Sequence, residues 1–268
     1  MTLKGILFDL DDTLIDWGHF AEEWERIETP HIEKVYRYMS TLAALEGDFQ
    51  AYKTAFFSRT KKAWGNARTT LQAPHLGRVL VEAAIAVGMP EDRADIDALL
   101  DAYEWGVIEG TSAFPEAISV LEKLRAHNIK MGIVTNAFQP MRLRDIELHG
   151  HGLREFFPDC RISAADVGVL KPHPDIFKRA LACMGTPPEE TVFIGDNPTA
   201  DIAGAQAAGM LAVLRVIARP RPLISGLIVP DAAINSLMEL PVILSEWFPG
   251  WDQVTQPVKG FARGDSGA

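Results

Sequence analysis

Four short apolar runs, each ending in polar residues and each separated from the next by a longer stretch, constrain this chain more than any other feature. They cover residues 5–8, 130–134, 191–194 and 211–214. The stretches between the later runs carry helical patterns at residues 115–126, with Pro115 at the start, at about 142–156, and at 174–184. Runs this uniformly apolar have no face to offer to water, so a sheet built from them must be covered on both sides. Strands joined through helical crossovers run parallel. The pattern predicts an α/β fold in which a parallel sheet is flanked by helices.

Residues 16–110 read differently. Apolar side chains recur there at helical spacing: Ile32, Val35, Tyr36, Met39 and Leu42, then Leu76, Val79, Leu80 and Ala83, then Ile96, Leu99, Leu100 and Tyr103. No strand-like run interrupts them. The simplest organisation is a Rossmann-like α/β core made of residues 1–15 and 111–268, with residues 16–110 forming an inserted α-helical domain that returns near Phe114-Pro115. The small, polar ending from Arg263 to Ala268 predicts a frayed end.

Composition narrows the function classes. With 47% apolar and 23% charged residues, the chain has the balance of a soluble globular protein. Its net charge of −10, from 26 Lys+Arg against 36 Asp+Glu, repels nucleic-acid backbones and argues against a nucleic-acid polymer as partner. It leaves room for a small phosphate ester, which a few local cations and N–H groups can hold. Cys160 and Cys183 have no metal-binding or redox spacing and read as reduced, buried thiols. The first apolar run is too short and too acidic for a signal peptide, and no stretch is long enough to span a bilayer. A cytoplasmic protein without membrane contact is expected.

In open α/β sheets, ligands bind beyond the carboxyl ends of the strands. The polar residues ending each run therefore belong together: Asp9-Leu10-Asp11-Asp12-Thr13, then Thr135-Asn136, and Gly195-Asp196 with Asp201, joined by a loop carrying Lys171-Pro172. On an extended backbone Asp9 and Asp11 point to one side and Leu10 to the other. Carboxylates so placed, meeting Asp196 and Asp201 from another strand end, repel one another and need protons or a cation. An all-oxygen site without a His or Cys cluster favours Mg²⁺. Lys171 adds a second positive charge, and Thr135 and Asn136 add hydrogen-bond donors. Such groups neutralise and orient a phosphoryl group.

These four segments, in this order from residue 9 to residue 201, resemble the sequence motifs of the haloacid dehalogenase superfamily, and the helical insert resembles the cap of its phosphatase-rich subfamily. The resemblance implies a phosphatase acting on a small phosphorylated metabolite through an aspartyl-phosphate. Asp9 is then the nucleophile, and Asp11 the acid that protonates the leaving oxygen and later activates water. Thr135 and Asn136 bind the phosphate, and Lys171 steadies the charge on Asp9 and the phosphate. Mg²⁺ is held by the carboxylates of Asp9 and Asp196 and the backbone carbonyl of Asp11, with Asp201 reaching the ion only through another ligand or a water.

Blander readings compete at several positions. Asp12 reads as a turn residue, and Asp201 also suits the N-cap of a helix beginning near Ile202. Lys53, Arg59, Lys61, Lys62 and Arg68 could meet an anionic substrate, but a run of cations on a helix is usually a solvated face. Trp17, Trp24 and Trp64 could stack on a ring of the substrate, but aromatics at such spacing are more often core, and His149 and His151, flanking Gly150 in an expected loop, carry no role. Three other functions fit the same motifs less well. A 2-haloacid dehalogenase needs neither Mg²⁺ nor a second acid–base Asp. A sugar-phosphate mutase is the rarer outcome. A non-catalytic binding protein would have lost Asp9, Asp11 or Lys171.

Overall fold

A computed structural model describes residues 2–18, 24–217 and 227–253. The expected fraying from Arg263 onward lies outside the described residues. Six parallel strands form the main sheet: β1 (Gly5–Phe8), β4 (Lys130–Thr135), β5 (Cys160–Ser163), β6 (Thr191–Gly195), β7 (Leu211–Arg215) and β8 (Ala232–Ile234). Their order across the sheet is β5-β4-β1-β6-β7-β8, with β1 paired in parallel to β4 and β6. A small ribbon pairs β2 (Ile15–Asp16) with β3 (Ser112–Ala113) in antiparallel fashion.

Alternation along the strands fills two separate cores. Ile6, Phe8, Ile133, Val192, Ile194 and Val213 belong to one. Their neighbours Leu7, Val134, Phe193 and Ala212 belong to the other. This period of two is why the runs are apolar throughout. On the first face lie α5 (Ala117–Ala126), α6 (Met141–Gly150) and α10 (Leu240–Trp247). On the second lie α7 (Ala164–Val167), α8 (Pro174–Met184) and α9 (Gly204–Ala207).

Helix α8 has the expected limits because both ends are written in the sequence. Pro174 stands at its first turn, the His173 side chain accepts from the N–H of Asp175, and Gly185 leaves in the left-handed conformation at φ 62°. Helix α6 stops at Gly150, earlier than its apolar pattern suggests. Gly152 turns the chain at φ 70°, and Arg154–Phe156 forms a separate short turn. His149 accordingly ends a helix rather than lying in a loop. Cys160 is buried, whereas Cys183 is exposed near the end of α8, so only one of the two thiols fits the expected burial.

Between β2 and β3 the chain makes α1 (Trp24–Leu42), α2 (Phe49–Thr70), α3 (Leu76–Ile85) and α4 (Ile96–Tyr103), which pack against one another. Ile32, Val35 and Met39, then Leu76, Val79, Leu80 and Ala83, then Leu99, Leu100 and Tyr103 are buried as their spacing demands, while Tyr36 and Leu42 are half-buried and Ile96 is exposed. The ribbon of β2 and β3 brings together the segments entering and leaving these helices, with Ile15 opposite Ala113. No helix of the described residues is long and apolar enough to cross a membrane.

Candidate active site

The carboxyl ends of β1, β4 and β6 meet where their order reverses, and the acidic residues collect there. Directly after β1, the N–H of Asp9 donates to the Ile194 carbonyl at 2.8 Å, which fixes Asp9 beside β6. Leu10 turns into the core, fully buried. Asp12 takes φ 62°, and its carboxylate accepts from the N–H of Trp17 at 3.2 Å, so it is a turn residue.

Carboxylate oxygens of Asp9, Asp196 and Asp201 lie within 4.8 Å of one another, and all three residues are buried. Lys171 stands among them. Its Nζ donates to Asp9 Oδ1 at 2.6 Å and to the Val134 carbonyl at 2.6 Å, and lies 2.8 Å from Asp201 Oδ1. Two of the ammonium protons go to hydrogen bonds, and Asp201 is its partner by charge. Burial works against the charge on Lys171, but Asp201 and Asp9 outweigh it and hold the ammonium above its usual range. The other oxygen of Asp9 accepts from Thr13 Oγ1 at 3.3 Å.

Burial, with Asp201 and Asp11 nearby, pushes the Asp9 carboxyl up to about 7 in spite of Lys171. Three buried carboxylates this close together favour a cation among them, and the donors are all hard oxygens. That set fits a divalent cation of the Mg²⁺ type.

Asp201 belongs to this group and is no N-cap. The helical turn at Pro198–Ala203 is capped by Asn197, whose side chain accepts from Thr199 and Ala200 at 3.1 and 3.0 Å. Asp201 instead accepts from the N–H of Asn197 at 2.9 Å. Gly195 is needed beneath it, because a Cβ there would collide with the Asp201 carboxylate.

Asp11 departs from the expected meeting of four carboxylates. Its side chain turns away from the other three and forms an ion pair with Arg144, while Thr135 Oγ1 sits 3.5 Å from its second oxygen. The cause is a buried cation that none of the four motifs contains. Arg144 and Glu147 on α6 are 2% and 0% exposed and pair at 3.1 Å, and Trp105 Nε1 donates to Glu147 at 3.1 Å. An Arg–Glu pair three residues apart on a helix is visible in sequence, but that spacing usually marks a solvated face. Asn136 uses its side-chain amide to bridge the loops, donating to the Lys171 carbonyl at 3.0 Å and accepting from the Lys171 N–H at 2.7 Å.

A cavity of about 660 Å³ opens between these strand ends and α1–α2. Asp11, Asn136 and Arg144 line one side, and Trp24, Trp64 and Lys61 line the other. Trp17 is core, as its reading requires, and stacks on Trp24 at 5.4 Å. Trp24 and Trp64 face the cavity instead of a sealed core.

Comparison with known proteins points the same way. Residues 3–209 match the family model of haloacid dehalogenase-like hydrolases. A glyceraldehyde 3-phosphate phosphatase of Methanocaldococcus jannaschii is 30% identical, over 89% of this chain and 95% of its own. The pyrimidine 5'-nucleotidase YjjG of Escherichia coli is 31% identical, over 91% and 99%. Among solved structures, a 2-haloacid dehalogenase from Pseudomonas syringae superposes with a TM-score of 0.60 at 24% identity, covering 92% of this chain and all of that one (100%). At that identity the likeness speaks for the fold. With four ordered motifs gathered at one sheet end and a family match spanning most of its length, the chain belongs to the haloacid dehalogenase-like hydrolases.

Proposed function

We propose that this enzyme is a magnesium-dependent phosphatase that hydrolyses a small phosphate monoester through an aspartyl-phosphate on Asp9. The observation that carries the reading is the buried group of Asp9, Asp196 and Asp201 around Lys171, two residues from an Asp11 that lines a ligand-sized cavity. The relatives at about 30% identity that are named as phosphatases and a nucleotidase support it. The partner is a small phosphorylated metabolite rather than a nucleic-acid polymer or a membrane, in the cytoplasm.

The carboxylates of Asp9 and Asp196 and the backbone carbonyl of Asp11 would hold Mg²⁺, with Asp201 supporting the site through Lys171. When bound, the ion neutralises charge on the phosphoryl oxygens. Asp9 attacks phosphorus as the ester P–O bond breaks, and the leaving oxygen takes a proton from Asp11. Water then attacks the same phosphorus and passes its proton to Asp11, releasing inorganic phosphate and restoring Asp9. Lys171 keeps Asp9 oriented for both steps. Thr135 and Asn136 close the phosphate's other side, Asn136 mainly by fixing the loop of Lys171. Residues 16–110 form the cap and residues 1–15 and 111–268 the catalytic core, so the cap excludes water and meets the organic part of the substrate.

Phosphate release from p-nitrophenyl phosphate and a panel of sugar phosphates, with Mg²⁺ and after chelation, tests this directly. Mg²⁺-dependent release is expected. Undiminished hydrolysis after chelation would remove the metal assignment. Metal-free chloride release from 2-chloropropionate would favour a dehalogenase, and isomerised sugar phosphate without free phosphate would favour a mutase.

A further inference from the structure

The cap cations separate into distinct environments once α2 is in place. Lys53 pairs with Glu25 at 2.8 Å, and Arg59 and Lys62 face a different cavity toward α3. Lys61 and Arg68 line the cavity that holds Asp11. They lie seven residues apart, two turns along one helix face, with Trp64 and Gly65 between them on that face. Gly65 has open space where a side chain would stand, so nothing there blocks the two cations from a common ligand.

Neither Lys61 nor Arg68 has an ion pair or hydrogen bond among the described residues, and both are exposed to the cavity side. The carboxylates of the same wall do not compensate them. Glu25 is already occupied by Lys53. Glu28 is buried, accepts from the Tyr103 hydroxyl, and is pushed by burial toward its neutral form at about 7. Among the described residues, the cap side of the cavity thus carries two uncompensated positive charges on a protein of net charge −10. Between those charges and Asp11 the wall is aromatic, from Trp24, Phe57 and Trp64.

From this arrangement we infer that the substrate carries a second anionic group, which Lys61 and Arg68 bind, joined to the scissile phosphate through an apolar or planar portion that lies against the rings. A carboxylate and a second phosphate share the required chemistry. The cavity volume, about 660 Å³, is that of a site for ligands of drug-like size, larger than a three-carbon phosphate needs. This inference rests on the phosphatase reading above and specifies its substrate.

Three aryl phosphates with nearly matched leaving groups test it: 4-(carboxymethyl)phenyl phosphate, its neutral carbamoylmethyl analogue, and 4-(phosphonomethyl)phenyl phosphate. With Mg²⁺ present, kcat/KM for at least one doubly anionic compound should exceed that for the amide by about ten-fold or more, as a charge-assisted contact supplies. The arm that wins tells carboxylate from phosphate. In the double variant Lys61→Ala, Arg68→Ala that ratio should fall toward one. Equal kcat/KM for anion and amide, or a preference that survives the double variant, overturns the inference while leaving the phosphatase reading intact. If none of the three is hydrolysed, calorimetric binding to Asp9→Asn decides the question, while the sugar-phosphate panel decides the phosphatase reading. Tighter binding of an anionic compound that is lost with Lys61 and Arg68 supports the inference, and binding no tighter than the amide overturns it.

Discussion

Lys171 Nζ stands 2.6 Å from Oδ1 of Asp9 and 2.8 Å from Oδ1 of Asp201, so one ammonium ties together carboxylates that follow two different strands, β1 and β6. With Lys171 only 3% exposed, water cannot replace it. Removing one partner of a buried ion pair leaves uncompensated charge and costs about 3–5 kcal/mol. Lys171→Met should therefore lower the urea midpoint steeply and abolish turnover. Mg²⁺ should restore part of the lost stability, since a second cation takes over some of the compensation. An unchanged urea midpoint without metal would show that the two carboxylates do not depend on Lys171.

The acidic group gives a separate expectation for metal. A cation that binds only the folded chain stabilises it by about 2.7 kcal/mol at ~100 times its dissociation constant. Thermal unfolding of the wild type should shift upward with Mg²⁺, and Asp196→Asn should blunt both the shift and the activity. A full Mg²⁺ response in Asp196→Asn would take that residue out of the site.

Glu28 predicts a pH dependence that is independent of metal. Burial holds its carboxyl at about 7, against an ordinary value of 4.5, although the hydrogen bond from Tyr103 pulls the other way. Between pH 4.5 and 7 the folded chain keeps a proton that the unfolded chain has released. Stability from this residue is therefore lost as pH rises through that window and stays lost above it, by about 3 kcal/mol in all. Glu28→Gln keeps an acceptor for the Tyr103 hydroxyl and cannot ionise. Its advantage over the wild type should grow from pH 4.5 to 7 and then level off in urea unfolding curves. A difference between the two proteins that does not change with pH would show that Glu28 holds no such proton.

What the sequence made legible follows from how local each signal is. Strand β1 and helix α8 have the expected limits, because apolar runs and a Pro start with a Gly stop are written in adjacent residues. Strand β5 is not legible: Cys160–Ser163 is short and includes Arg161, whose side chain reaches Asp145 at 2.6 Å at the sheet edge. Asp9 and Asp196 converge because the parallel order places the ends of β1 and β6 side by side, while Asp201 follows on the turn after β6 and Lys171 reaches in from the loop before α8. Arg144 is not legible as a site residue, because its pairing with Asp11 and the burial of the Arg144–Glu147 pair arise only once α6 packs beneath the β1 turn. The same holds for Lys61 and Arg68, which differ from Lys62 only by the face of α2 on which they lie.

The two carboxylates after β1 sit in different surroundings, and their substitutions should fail differently. Asp9 is held by Lys171 and Thr13 within the acidic group, whereas Asp11 is held by Arg144 and faces the cavity. If Asp9 is the nucleophile, Asp9→Asn removes the covalent route and leaves almost no turnover on any ester. Asp11→Asn removes acid–base help, typically ~10²–10⁴-fold in rate. That penalty should shrink in the first step for p-nitrophenyl phosphate, whose leaving group needs no proton. The second step still needs Asp11 to take a proton from water, so a phosphoenzyme should accumulate in Asp11→Asn and never in Asp9→Asn. Rapid acid quench and mass spectrometry of the peptide holding residues 9–12 would locate the phosphoryl group. Its presence on Asp11 or Asp12, or brisk turnover by Asp9→Asn, would reverse the assignment of the two roles.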